Sequence, residues 1–500
     1  MTHQHPTSRR AVTIATSGGA VDGFNDGTVD VFLGVPYAQP PFGPNRFRPP
    51  VPVQPWSGNR DATRMGPTSP QREALFLADT GPRVNAGEAD ILHVNIWAPP
   101  TPSTAPDPTG LLPVLVWFHG GALIEGSNAA DVMNGARLAV HGIVVVSANY
   151  RLGAEGFSVL DGAPHNLGLA DQIEALRWVQ REITAFGGNP HDVTVAGQSA
   201  GGVTVAAMMC SPSTAGLMHR VIIQSSPLEA KSLDEAGELT RRIARHLDID
   251  ATRPAFEQIS PEALLAAQHE VLHAAQAAGE DLGYHVAVDG STVHESTDVA
   301  LLGGAGDHLP LLIGVTSEEF MLWMGPNGVV DLIDDATLQA VAASNGVADA
   351  VQPYQLSRPD STPGHVLGRL LSDLRLRAPM IAAVDARAER GADSYVYEFA
   401  WQSPMSNLGA AHSVDLPFVF DTLTSATAHA LVGTDAPQTL ADDMCSSWAA
   451  FIRSGTLDWP VWDRSRRVKV FDGSTNPVEV DPHPTERVAM TRCYERSRRD

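Results

Sequence analysis

The chain has 500 residues, a formal net charge of −23 at pH 7 and 43% hydrophobic residues. That much apolar material can fill a large core, while the negative charge repels nucleic acid and anionic membranes at long range, so neither is expected as a partner. No stretch approaches the roughly 18 apolar residues that a membrane-spanning helix needs.

From the N-terminus, Arg9-Arg10 precedes Ala11-Val12-Thr13-Ile14, the outline of a twin-arginine export signal, but Ser17-Gly18-Gly19 cuts the apolar run short. A Pro- and Gly-rich stretch from about residue 66 to 87 reads as a lid or gorge wall, and Pro99 to Pro108 as an exposed loop. Apolar or β-branched runs at Val114–Phe118, Ile143–Ser147, Val193–Ala196, Val221–Gln224, Leu311–Val315 and Tyr395–Phe399 read as strands separated by helical stretches. Such alternation predicts a mostly parallel, helix-covered α/β sheet, here as one domain over residues 1–500, with a second lid or gorge-wall insertion from about Phe320 to Pro379. Leu440, Met444, Trp448, Phe451 and Ile452 recur at helical spacing between Pro437 and Gly455, which predicts an amphipathic helix whose stripe is core.

Two local patterns carry chemistry. Gly197-Gln198-Ser199-Ala200-Gly201 lies between the run Val193–Ala196 and a stretch able to form a helix, Gly202 to Met209. A serine on such a strand-to-helix turn projects its hydroxyl clear of the sheet, which makes Ser199 the candidate nucleophile. Upstream, the apolar run from Leu111 stops at His119-Gly120-Gly121-Ala122, a turn whose backbone N–H groups can face a developing oxyanion. Gly121, Ala122 and Ala200 are the candidate donors. Either pattern alone is equally a tight structural loop; together they point to acyl transfer. A serine hydroxyl is a weak nucleophile at neutral pH, so it requires a base, and histidine is the side chain suited to that exchange.

These residues and several ordered segments resemble the type-B carboxylesterases, a family that includes bacterial para-nitrobenzyl esterases, mammalian carboxylesterases, cholinesterases and the non-catalytic neuroligins. The segments are Phe32-Leu33-Gly34-Val35-Pro36-Tyr37-Ala38-Gln39-Pro40-Pro41, Asn45-Arg46-Phe47-Arg48, Leu92-His93-Val94-Asn95-Ile96-Trp97, Asn149-Tyr150-Arg151-Leu152-Gly153, Asn166-Leu167-Gly168-Leu169-Ala170-Asp171-Gln172 and Ala185-Phe186-Gly187-Gly188-Asn189-Pro190. Trp459 to Asp463 resembles the family's C-terminal region. The resemblance implies an α/β-hydrolase fold and ester hydrolysis through an acyl-enzyme, without cofactor or metal. It places the acid in Ile313-Gly314-Val315-Thr316-Ser317-Glu318-Glu319-Phe320, at Glu319, and the base in Ala411-His412-Ser413-Val414-Asp415-Leu416-Pro417-Phe418, at His412. Phe320 stands where the family usually has glycine, so Glu318 stays open as the alternative acid. His119 is expected to be structural, and His141, His191 and His219 to lie at the surface at element ends.

The family also sets its first strand at Ala11–Ile14, so cleavage of an export signal would remove structure. Ile91 occupies the position of a cysteine in animal members, which implies that their disulfide is absent. With Cys210, Cys445 and Cys493 lacking metal-ligand spacing, the chain resembles cytoplasmic bacterial members. Small to medium, largely apolar esters are the expected substrates, with Leu123, Phe320 and Trp323, and beside them Met321 and Met324, as candidate pocket residues. Carbamate or amide hydrolysis by the same residues is the alternative. A binding protein of the neuroligin kind would need a broken triad, and choline recognition would need a tryptophan that residues 66–87 lack. Finally, Gly120-Gly121-Ala122-Leu123 resembles the turn of members that accept esters of tertiary alcohols.

Overall fold

Thirteen strands join in one sheet among the residues that the computed structural model describes, 9–72, 90–100, 110–405 and 407–498. In chain order they are β1 Arg10–Thr16, β2 Gly19–Asn25, β3 Asp30–Pro36, β4 Asn59–Asp61, β5 His93–Ala98, β6 Leu112–Phe118, β7 Val144–Ala148, β8 Gly188–Gln198, β9 Arg220–Gln224, β10 Leu311–Thr316, β11 Ser394–Phe399, β12 Arg467–Phe471 and β13 Val478–Val480. Their spatial order is β1-β2-β3-β5-β7-β6-β8-β9-β10-β11-β12-β13, with β4 attached to β2. From β7 to β12 every pairing is parallel; the outer pairs are antiparallel apart from that of β2 with β4.

All six strands read from apolar runs are present, β7 starting one residue later than expected. β7, β10 and β11 are buried at every position, because helices cover both faces of a parallel sheet and leave no alternation to read. The antiparallel N-terminal strands escape such a reading. β1 alternates between exposed and half-buried positions and is held by seven residue pairs with β2. The core forms two clusters, one on each face: Val114, Val116 and Phe118 of β6 enter one, and Leu115 and Trp117 the other. Helix Gln438–Ser454 ends at Gly455 in the left-handed region, and its stripe, Leu440, Met444, Trp448, Phe451 and Ile452, packs in the second cluster as expected.

Several of the family-like segments prove to be fastenings. Arg151 and Asp171, both fully buried, form a two-point ion pair, Nε to Oδ2 at 2.7 Å and Nη2 to Oδ1 at 2.6 Å. Arg46 meets Glu155 in the same way, Nη2 to Oε1 at 2.6 Å. Buried charges persist only when paired like this, so Arg151 ties the loop after β7 to helix Leu167–Glu182, and Glu155 ties the short helix Gly153–Phe157 to the N-terminal segment.

The candidate insertion at residues 320–379 is helical, running through Met321–Met324, Val329–Leu332, Asp335–Ser344, Ala348–Ser357 and Pro363–Ser372 to a π turn at Asp373–Arg377. A buried network anchors it: Arg377 contacts Glu398 of β11 at 2.8 Å and Asp373 at 2.9 Å, and Arg369 contacts Glu486 at 3.3 Å. Burial alone would raise the Glu486 carboxyl, but Arg369 and Arg358 overcome it and hold it down at about 2. The other candidate wall, residues 66–87, lies mostly outside the described residues, as does the expected loop from Pro99 to Pro108.

Candidate active site

β7 lies on one side of β6 and β8 on the other, so the chain changes its direction of travel across the sheet between the two strands that carry the chemical motifs. Ligands of open α/β sheets bind at the carboxyl ends of strands at such a point. Here β6 ends in the glycine turn, β8 in Ser199 and β10 in the Glu318-Glu319 pair.

Ser199 joins β8 to helix Ala200–Cys210 with φ 56° and ψ −127°, a strained conformation for a residue with a side chain. Its N–H donates to Gln224 O at 2.9 Å, which fixes the turn to β9. Gly201 is dictated by close approach: a Cβ there would lie 2.1 Å from the carbonyl oxygen of Phe118. Ala200, first in its helix, has an N–H that the helix cannot satisfy internally.

The glycine turn packs directly on this corner, since a Cβ at Gly120 would sit 2.9 Å from Ser199 Cβ. Gly121, Ala122 and Leu123 follow at φ 113°, 51° and 62°, and the Gly121 carbonyl accepts from Ile124 and Glu125 at 2.9 Å each. His119 is structural, as expected. It stacks on Tyr150 at 4.6 Å, its Nδ1 lies 2.8 Å from Gly120 O, and burial pushes its pKa down to about 4, so it stays neutral.

The structure brings Glu319, rather than Glu318, to His412. Glu319 Oε2 lies 2.5 Å from His412 Nδ1, while Oε1 accepts from Thr316 N at 2.7 Å. Glu318 is turned the other way, its Oε2 accepting from Ala410 N at 3.0 Å. Two residues not singled out from the sequence brace this corner from the helical insertion: Arg369 donates to the Ser317 carbonyl, and Ser372 Oγ accepts from Phe320 N at 3.1 Å. Both arrive from about fifty residues along the chain, and no local pattern announces them. On its other edge, His412 Nε2 meets the amide of Gln198 at 3.0 Å.

Trp323 covers the imidazole, ring centroids 5.2 Å apart, and is 44% exposed; Phe320 packs beside it at 5.4 Å. The remaining apolar candidates, Leu123, Met321 and Met324, are buried in the core clusters. His191 is exposed and His141 and His219 are half-buried.

Asp415, noted in the sequence only as part of the histidine segment, is fully buried behind it and accepts from Gln224 Nε2 at 3.1 Å. Burial, and then the charge of Glu319, push its carboxyl up to about 6. The native state therefore holds this proton more tightly than the unfolded chain does. Its contribution is favourable at lower pH and is lost as pH rises through about 6. Asp415→Asn should thus gain stability over the parent, with an advantage that grows by on the order of 1 kcal/mol between about pH 5 and 7.5. Urea unfolding at the two pH values checks this, and an equal difference at both would refute it.

A mostly parallel sheet with this switch point and a strained serine at the end of its central strand defines an α/β-hydrolase. A sequence profile of the carboxylesterase family matches residues 10–481, and the chain belongs to that family. It is similar to the para-nitrobenzyl esterase of Bacillus subtilis (strain 168), at 32% identity over 97% of this chain and 98% of that one. The phenmedipham hydrolase of Pseudarthrobacter oxydans is 32% identical over 90% and 92% of the two chains. Among solved structures, a carboxylesterase of Geobacillus stearothermophilus superposes with a TM-score of 0.83 at 31% identity, covering 96% of this chain and 99% of its own. A para-nitrobenzyl esterase superposes with a TM-score of 0.81 at the same identity and coverage. The protein is a serine ester hydrolase. No helix among the described residues is long and apolar enough to cross a membrane.

Proposed function

We propose that Ser199, His412 and Glu319 form the catalytic triad and that the amides of Gly121, Ala122 and Ala200 receive the oxyanion. The observation that carries this is the 2.5 Å contact between Glu319 and His412 beside the strained Ser199 turn. Ser199 Oγ attacks the ester carbonyl as His412 Nε2 takes its proton. The tetrahedral oxyanion is held by the three N–H groups, each worth about 2.7–4 kcal/mol in comparable sites. The imidazolium, stabilised through Nδ1–H by Glu319, passes the proton to the departing alcohol oxygen. Water then repeats the sequence on the acyl-enzyme, releasing the acid and restoring Ser199.

Trp323, against His412, and Phe320, packed on Trp323, are apolar and favour small to medium apolar esters. A panel of para-nitrophenyl esters of rising acyl length, assayed beside a para-nitrobenzyl ester, phenmedipham, a simple carbamate and an anilide, tests this. Esters should turn over fastest. Turnover of the carbamate or anilide alone would favour the alternative, in which the same residues cleave those bonds.

The glycine turn suggests a further substrate property. With no side chain at Gly121 and a single methyl at Ala122, room remains beside the reacting carbonyl, so a tert-butyl or linalyl ester should be hydrolysed more slowly than its primary counterpart but measurably. Ala122→Val should lower both rates, because a branched side chain at φ 51° strains the turn, and should lower the tertiary ester's more. An unchanged ratio would mean that the turn serves catalysis without sorting alcohols. We read the chain as one domain with residues 320–379 as a gorge wall or lid, and as a bacterial cytoplasmic enzyme, in keeping with its three unpaired cysteines.

A further inference from the structure

Gln198 is the last residue of β8, directly before Ser199, and is 3% exposed. Its Nε2 lies 3.0 Å from His412 Nε2 and 3.0 Å from Ser413 Oγ. A carboxamide NH2 carries two protons, so one group can serve both contacts if both partners accept. That requires a bare lone pair on His412 Nε2, with the ring's proton on Nδ1 facing Glu319 Oε2. This is the tautomer a general base must have, and the amide holds that single lone pair in place until the Ser199 hydroxyl displaces it to give up its proton. Ser413, held at φ 67°, is tied to the elbow by the same amide.

We propose that Gln198 is a positioning residue: its amide turns the acceptor edge of His412 toward the elbow, and its lack of charge sets the pH at which that base becomes competent. The inference rests on the triad reading above. An imidazolium would bring an N–H at Nε2 against the N–H of Gln198, two donors in opposition, so the amide favours the neutral ring. A carboxylate at the same place would accept that proton and favour the charged ring. The side-chain oxygen of Gln198 lies over Gly120, where a Cβ would be only 2.8 Å away, so the turn's missing side chain gives the amide its place.

The other groups around the ring are constant in this comparison. Glu319 is at Nδ1, and Asp415 lies close enough for its charge to be felt. Trp323 covers a face without charge. Glu318 points to Ala410 N, and Arg369, donating to the Ser317 carbonyl, is paired with Glu486.

The test is the pH dependence of kcat/KM on a para-nitrophenyl ester for the full chain, Gln198→Glu and Gln198→Leu, with thermal unfolding to establish that each variant is folded. In Gln198→Glu the acid limb should move up by about one pH unit or more. Activity on that limb should fall about tenfold and recover toward the plateau at higher pH. Gln198→Leu, which loses the donor without adding charge, should move the limb up by less and lower kcat while KM changes little. Should only one variant fold, the direction of its limb decides. Unmoved limbs in folded variants, or a downward move in Gln198→Glu, would overturn the assignment. Labelling of the same samples with a fluorophosphonate separates the two readings: an unlabelled parent chain counts against the triad, whereas labelled variants with unmoved limbs count against Gln198 alone.

Discussion

Ser199→Ala is expected to abolish ester turnover, by on the order of 10⁶-fold in kcat, while the protein stays folded. The hydroxyl is the atom that becomes acylated, and no neighbour can replace it. The fold should be indifferent, because alanine keeps the Cβ and therefore the same strain at φ 56°, and the turn is fixed by the Ser199 backbone N–H to Gln224 rather than by the side chain. Steady-state rates with a blank from the same purification check the loss, and thermal unfolding checks the fold. Retention of more than a few per cent of activity would sink the nucleophile assignment.

Glu319→Gln should lower kcat by about 10⁴-fold, whereas Glu318→Gln should cost little. The difference follows from hydrogen-bond capacity. Glu319 accepts twice, from Thr316 N and from the His412 ring, and a carboxamide has only one oxygen to offer. If that oxygen keeps the buried Thr316 N–H, the NH2 faces Nδ1 and drives the ring's proton to Nε2, the tautomer unable to accept from serine. If instead it serves His412, a buried N–H goes unpaired. Either way the imidazolium loses its counter-charge. Glu318 accepts from Ala410 N with one side-chain oxygen, a contact that glutamine reproduces. Rates of the two variants measured side by side decide the matter, and a reversed order would show that the acid had been placed one residue too late.

What could be read from the chain was local or ordered. The Ser199 turn is a strand, a corner and a helix within some twenty consecutive residues, and the glycine turn after β6 is shorter still, so the conformations both need are written in neighbouring residues. The central strands were legible for a different reason: buried on both faces, they appear as unbroken apolar runs. β1 to β4 were less so, since any alternation in them is short and their partners come from β1 to β5 rather than from the central run. Nothing in the local pattern separates two adjacent acids; the resemblance points to Glu319, with Glu318 as the alternative, and the structure turns Glu319 to His412. The choice depends on which carboxylate turns toward a histidine 93 residues on, in a corner braced by Arg369 and Ser372.

The sequence by itself thus determined the fold class, the serine turn, the glycine turn and the segment holding each remaining partner. Only the tertiary structure decided how Glu319 and Glu318 turn in opposite directions, that Leu123, Met321 and Met324 pack in the core while Trp323 covers the imidazole, and that Gln198 reaches a ring 214 residues away. The physical reason is range. Backbone strain and apolar burial leave marks within a few residues, but the partner of a buried hydrogen bond is set by how distant elements pack, and apolar side chains near a site have the same composition whether they line it or fill the core behind it.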